Sequence, residues 1–359
     1  MPVRVLIVDD SVFFRNRISL ILKSHPGIEV IDVAKNGVEA VEKVQRLHPD
    51  VVTMDVEMPE MDGITALKQI MIKAPCQVLM LSSLTRRSAV TTLEALECGA
   101  ADYMEKDARL WVAQAEKTGA LLTDKVLALG SKKAACSLRS VVSADNAYSK
   151  AKTATVALSR HQSYTKKVVK PDCRILTIGS STGGPAALQE ILPEMKADFP
   201  APILLTQHMP KTFTSVFAKR LNDLCQIQVK EAEDGDHLMP GHAYLAPGGQ
   251  QMILDPGDPK RLKVRESDDR INYKPSVDLT FASVAKAYGN HAFGLVLTGM
   301  GSDGCDGARV LKKVGATVWA QDQASCTIFG MPKAVITAGL ADEVLGLQEL
   351  KNILGRWSK

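Results

Sequence analysis

Nowhere does this chain contain a run of about 18 uninterrupted apolar residues, which excludes a membrane-spanning helix. The opening "MPVRVLIVDD" breaks off into two aspartates too soon for a secretory signal, so a cytoplasmic location is expected. The 7 cysteines are scattered, with no CxxC pair to suggest zinc or a dithiol motif, and reduced thiols are expected. A formal net charge of only +4 gives no reason to expect nucleic acid as a partner. Internal repeats are absent, and the second half has no basic helix-turn-helix signature. Acidic residues almost vanish between Lys125 and Lys170, where "SKKAACSLRS" and "SRHQSYTKK" show neither helical nor strand period. That composition reads as a basic, solvated linker.

What is present divides around that linker. At 359 residues the chain is long for one core. The reading places one domain at 1–122, a basic flexible linker at 123–171 and a second domain at 172–359. In the first, "VRVLIV", "EVIDVA", "DVVTMD", "QVLMLSS" and "ADYMEK" alternate with stretches of helical apolar spacing. In the second, "CRILTIG", "APILLTQH", "HAYLAP", "QMILD", "RLKVRE", "AFGLVLTG" and "ATVWAQD" read as strands. The fold class expected is α/β: two doubly wound domains with mainly parallel sheets, the second carrying an antiparallel hairpin around "APGG". In such sheets function gathers at the carboxyl ends of the strands.

Those ends carry two constellations. Asp9 and Asp10 follow the first strand, Asp55 the third, Ser82 the fourth and Lys106 the fifth. Three carboxylates at one edge repel each other unless a hard cation such as Mg²⁺ joins them. With Mg²⁺ and the Lys106 ammonium balancing charge, Asp55 could attack phosphorus, and Ser82 could bond the new phosphoryl group. Any one of these residues alone would read as a helix cap or turn former.

"ILTIGSSTGG", Ile175 to Gly184, runs from a strand into a glycine-rich turn. It fits neither GxGxxG nor GxxxxGK[ST], yet Gly179 to Gly183 has the spacing of a G-x-S-x-G nucleophile elbow. Phosphate cradle, plain bend and nucleophile platform all remain open on these residues alone. A nucleophile would need a base and an orienting acid. His208 ends the next strand in "ILLTQHMP", and "LVLTGMGSDGCDG" offers Asp303 and Asp306 after another. Asp303 lies nearer the strand end, and Asp306 is expected to cap the following helix. Ser181 fits the elbow spacing, and Ser180 is its competitor.

The first domain resembles response-regulator receiver domains through "LIVDDS", "TMDVEMPEMDGI", "LMLSS" and "DYMEKD". The resemblance implies Asp55 as phosphoacceptor, Asp9, Asp10, Asp55 and the Glu57 backbone carbonyl as Mg²⁺ ligands, and Ser82 and Lys106 as switch residues. The second resembles the catalytic domain of the chemotaxis protein-glutamate methylesterase family through "IGSSTGGP", "TQHMP", "YLAPGG", "KPSVD" and "VLTGMGSDG". That resemblance implies Ser181 as nucleophile, His208 as base and Asp303 as its orienter, with Thr182 and Met300 completing the oxyanion and substrate site. It further implies hydrolysis of glutamate methyl esters on chemoreceptor cytoplasmic helices, receptor glutamine deamidation, and phosphate from a chemotaxis histidine kinase. No cofactor is expected for the ester reaction, and a monomer is expected. A tether of about 50 residues lowers the effective concentration of one domain at the other.

Overall fold

The computed structural model describes residues 1–83, 85–131, 172–268 and 270–357. The basic tract from 132 to 171 lies outside them, so the linker expectation there stands as made from sequence.

The first domain runs β1 (Val3–Val8), α1 (Val12–Lys23), β2 (Ile28–Ala34), α2 (Gly37–Leu47), β3 (Val51–Asp55), α3 (Gly63–Lys73), β4 (Gln77–Ser82), α4 (Arg86–Glu97) and β5 (Asp102–Glu105). Its five strands form one parallel sheet in the order β2-β1-β3-β4-β5. Near-continuous apolar strands such as "VRVLIV" suit a sheet covered by helices on both faces. Helix starts follow local chemistry: Asn36 accepts from the Glu39 amide and Asp62 from the Thr65 amide. The domain then extends beyond the expected boundary at 122. After α5 (Ala108–Ala113), α6 runs from Ala115 to Gly130 and buries Leu122, Val126 and Leu129 against the sheet. Those three residues, four and three apart, make one helical stripe among Lys, Ala and Gly neighbours of weak pattern.

The second domain runs β6 (Ile175–Ser180), α7 (Gly184–Ile191), β7 (Ile203–Gln207), α8 (Lys211–Leu224), β8 (Gln228–Glu231), β9 (His242–Leu245), β10 (Gln250–Leu254), β11 (Leu262–Glu266), α9 (Val277–Tyr288), β12 (Ala292–Val296), α10 (Cys305–Lys313), β13 (Thr317–Gln321), α11 (Met331–Thr337), β14 (Glu343–Leu345) and α12 (Leu347–Leu354). Seven strands form a parallel sheet in the order β14-β13-β12-β6-β7-β9-β8. The antiparallel hairpin exists as β10 and β11, paired from Gln250↔Glu266 to Leu254↔Leu262. "APGG" does not turn it, however. That stretch connects β9, a parallel member of the large sheet, to β10.

The domains meet face to face. Tyr103 of β5 stacks on Phe213 of α8, with ring centroids 4.8 Å apart and planes 12° apart. Arg220 of α8 forms an ion pair with Glu97 at the end of α4, its Nε 2.6 Å from Oε1. Met300 and Ile328 of the second domain share an apolar cluster with Trp111 of the first.

Candidate active site and phosphorylation site

Register brings the second constellation together. Val296 of β12 lies opposite Gly179 of β6, which lies opposite Thr206 of β7. The residues that follow these three central strands therefore leave the sheet side by side. The Ser181 amide donates to Thr298 O at 3.0 Å, and the His208 amide to Ser180 O at 3.0 Å. Close approach explains one glycine: a Cβ on Gly299 would stand 2.3 Å from Met331 Sδ and 2.9 Å from Ser181 Cβ. Gly183, with φ of 76°, turns the chain into α7 in the left-handed region that glycine tolerates best.

The two serines have different fates. Ser180 is the last residue of β6, fully buried, and its hydroxyl donates to Gln207 Oε1 at 2.7 Å. Ser181 stands just beyond the strand and lines a cavity of about 420 Å³ together with Thr182, His208 and Met300. Among the described residues, neither the Thr182 amide nor the Met300 amide has a hydrogen-bond acceptor.

His208 Nε2 lies 2.8 Å from Asp303 Oδ2. A proton on Nε2 would leave Nδ1 as the basic nitrogen. Tyr273 stacks on the imidazole, centroids 4.4 Å apart and planes 7° apart, and fixes the ring plane. In this covered arrangement no hydrogen bond joins the Ser181 hydroxyl to the imidazole. Asp303 is held at the N-terminus of α9. It accepts from the Val277 amide at 2.7 Å, the Asp278 amide at 3.0 Å and the Ser276 hydroxyl at 3.1 Å. An anion is favoured at a helix N-terminus. Burial works to raise the Asp303 carboxyl, but the hydrogen bond and charge of His208 and the two amides outweigh it and hold it below the ordinary value.

Asp306 does not cap α10. It remains exposed in the first turn, 3.7 Å from Arg309. The cap comes from across the site: Asp278 Oδ1 accepts from the Gly304 amide at 2.8 Å and the Gly307 amide at 2.7 Å. Asp303 and Asp278 thus each hold the start of the other's helix. The sequence reading missed Asp278, Tyr273 and Gln207, although "KPSVD" and "TQH" were singled out as motifs.

At the edge of the first sheet, oxygens of Asp9, Asp10 and Asp55 all lie within 4.8 Å of one another. Three carboxylates at that spacing form an all-oxygen donor set, which fits a hard divalent cation. Lys106 Nζ donates to Asp55 Oδ2 at 2.6 Å and stands 2.9 Å from Asp9 Oδ2. Burial, more than the Asp9 and Asp10 charges, raises the Asp55 carboxyl to about 6 against the opposing pull of Lys106. Asp10, Asp55, Glu57 and Lys106 border one cavity of about 290 Å³. Ser82 is not turned toward it by its contacts: its Oγ accepts from Thr92 Oγ1 of α4 at 2.7 Å. Ser83 and Ser88 border that cavity, their hydroxyls 2.7 Å apart.

The serine site touches the first domain directly. Asp102 Oδ2 of β5 accepts from Thr182 Oγ1 at 2.7 Å and pairs with Lys125 of α6, whose Nζ reaches Thr182 Oγ1 at 3.2 Å. Receiver groups therefore occupy the hydroxyl next to Ser181, and the 420 Å³ cavity is walled by both domains.

The first domain thus carries an acidic pocket at its sheet edge, and the second a His–Asp pair that borders one cavity with Ser181. Comparison with known families agrees: the model described as "Response regulator receiver domain" matches residues 5–112, and that described as "CheB methylesterase" matches 176–354. The chain belongs to the CheB methylesterase family. A protein-glutamate methylesterase/protein-glutamine glutaminase of Vibrio cholerae is 48% identical over 98% of this chain and 97% of its own. Relatives of that name in Pseudoalteromonas translucida and, from a group 1 operon, in Pseudomonas putida are also 48% identical over 98% of this chain. They cover 97% and 98% of their own lengths.

Proposed function

We propose that this chain is a phosphorylation-regulated protein-glutamate methylesterase that acts on chemoreceptor cytoplasmic helices and also deamidates receptor glutamines. The observation that carries the reading is the 2.8 Å contact of His208 with a thrice-anchored Asp303 in a cavity shared with Ser181. Ser181 Oγ attacks the ester carbonyl carbon as His208 Nδ1 takes its proton. The amides of Thr182 and Met300, both without acceptors, receive the developing oxyanion. The C–O bond breaks and methanol leaves with that proton; water then adds to the acyl carbon, and His208 mediates release of free glutamate. For a glutamine side chain the leaving group is ammonia. Both reactions draw on these side chains, the two amides and water.

In the receiver, Asp9, Asp10, Asp55 and the Glu57 carbonyl would hold Mg²⁺, which when bound supplies positive charge against the clustered carboxylates. Asp55 takes phosphate from the phosphohistidine of a chemotaxis kinase: the new O–P bond forms as the P–N bond breaks. Ser82 then leaves Thr92 for the phosphoryl oxygens, and Lys106 redistributes between the phosphate and Asp9. Action in the cytoplasm is part of this reading; among the described residues no helix is long and apolar enough to cross a membrane.

Methanol release from a methylated receptor fragment tests the reading. Ser181→Ala in the full chain should abolish it while the circular dichroism and melting profile stay those of the parent. Retained methanol release in that variant removes Ser181 from the mechanism.

A further inference from the structure

Ser181 and His208 open into the 420 Å³ cavity, and so do Trp111, Thr118 and Leu121 of the receiver. The receiver therefore roofs the site without filling it. A helix with side chains is about 10–12 Å across, too wide to lie against Ser181 while the receiver's side chains border the same cavity. A receptor helix, with several turns and a partner at its side, cannot enter while the roof is in place. Small-ligand pockets occupy about 300–1,000 Å³, and this cavity lies inside that range. Apolar side chains such as Trp111, Leu121 and Met209 stand beside the polar Ser181 and His208, the usual composition of a small-molecule site. The His208–Asp303 contact is intact beneath the roof, and among the described residues the Ser181 hydroxyl, not bonded to the imidazole here, is committed to no other group, so a side-chain rotation suffices to engage it.

We infer that the covered, unphosphorylated chain hydrolyses small carboxylic esters at Ser181 while excluding receptor helices, so that the receiver sorts substrates by size and leaves the triad competent. The inference rests on Ser181 as nucleophile. Water is the co-reactant. Ser181 Oγ bonds the acyl carbon, the alkoxide leaves with the proton carried by His208, and water releases the carboxylic acid and restores the hydroxyl.

The test uses the full chain with p-nitrophenyl acetate and with methylated receptor fragment, each with and without phosphoramidate as phosphodonor. Methanol release should rise about tenfold or more on phosphorylation, while p-nitrophenolate release changes by less than about twofold. Leu121, 39% exposed, can be enlarged without disturbing a core. Leu121→Trp should cut p-nitrophenolate release roughly fivefold in the unphosphorylated chain and leave it within about twofold of the parent once phosphorylated. Parallel acceleration of both substrates by the phosphodonor overturns the inference, as does small-ester turnover that ignores Leu121→Trp. Ser181→Ala separates the two layers: receptor demethylation surviving in that variant defeats the nucleophile assignment itself, whereas small-ester turnover that survives while demethylation is lost overturns the inference alone.

Discussion

Asp278 and Asp303 are chemically identical side chains driven in opposite directions by a few ångströms of geometry. Asp303 accepts two amides, a hydroxyl and the imidazole, and its carboxyl is held below the ordinary range. Among the described residues Asp278 has no cationic partner. Burial, together with the adjacent Asp303 charge, raises it to about 6 in spite of the amides of Gly307 and Gly304. The unfolded carboxyl releases its proton near about 3.9, whereas the folded one keeps it to about 6. The stability linked to Asp278 is thus fully present below the unfolded value and is lost as pH rises through the folded one. Asparagine keeps the acceptor oxygen for Gly304 and Gly307 but has no proton to release. Asp278→Asn should therefore flatten the decline of melting temperature between those two pH values. An unchanged decline would place its origin in another group. Asp303→Asn has a different outcome: the imidazole loses the acceptor that selects its tautomer, and receptor demethylation should fall by about three to four orders of magnitude at pH 7. A stopped assay of methanol on the purified variant measures it, and a loss under tenfold would show that His208 needs no orienting acid.

At the scale of elements, α4 is the part that both domains hold. Thr92 on its inner face donates to Ser82 Oγ at the end of β4 and to Ser88 O at 2.7 Å. Its far end carries Glu97, the partner of Arg220 on α8. A Ser82 hydroxyl drawn to a phosphoryl group deserts Thr92, and the helix that faces the second domain loses an anchor. Thr92→Val removes that anchor without phosphate. One neutral hydrogen bond contributes about 0.5–1.5 kcal/mol, so demethylation by the unphosphorylated variant should rise roughly two- to tenfold. Basal activity equal to the parent would disconnect Ser82 from α4. The elements themselves were legible in proportion to their apolar pattern. The central strands of both sheets announced themselves as short, largely apolar runs, because strands buried on both faces need one. The edge strands β8 and β14 did not: "QVKE" and "EVL" are short, half-polar segments whose pairing comes from neighbours in space. α6 was hidden for a related reason, since its stripe of Leu122, Val126 and Leu129 is diluted by lysine, alanine and glycine. The site followed the same rule. Ser181, His208 and Asp303 could be read because each follows a strong central strand, whereas the cap by Asp278 depends on two helix starts meeting and has no local signal.

For the molecule as a whole, few polar contacts join the two domains among the described residues. Tyr103 on Phe213 supplies apolar contact, and the Asp102–Lys125–Thr182 cluster is enclosed at the centre of the interface. Neither partner segment reveals this cluster in isolation, because "ADYMEK" and "GSSTGG" say nothing about which surface will lie against them. The Arg220–Glu97 pair is different in kind. Its side chains retain 28% and 33% exposure, so water and salt reach it. A pair of that exposure contributes about 0.5–1 kcal/mol, which sets the expected effect of its removal on the balance between covered and open states. Arg220→Ala should raise unphosphorylated receptor demethylation roughly two- to fivefold and leave the fully phosphorylated rate unchanged, since the open state no longer uses the contact. Increasing ionic strength should raise the parent's basal rate toward that of the variant and move the variant much less. A variant that is slower than the parent in both phosphorylation states would instead assign Arg220 to receptor binding, and salt dependence identical in both proteins would show that the pair does not hold the domains together.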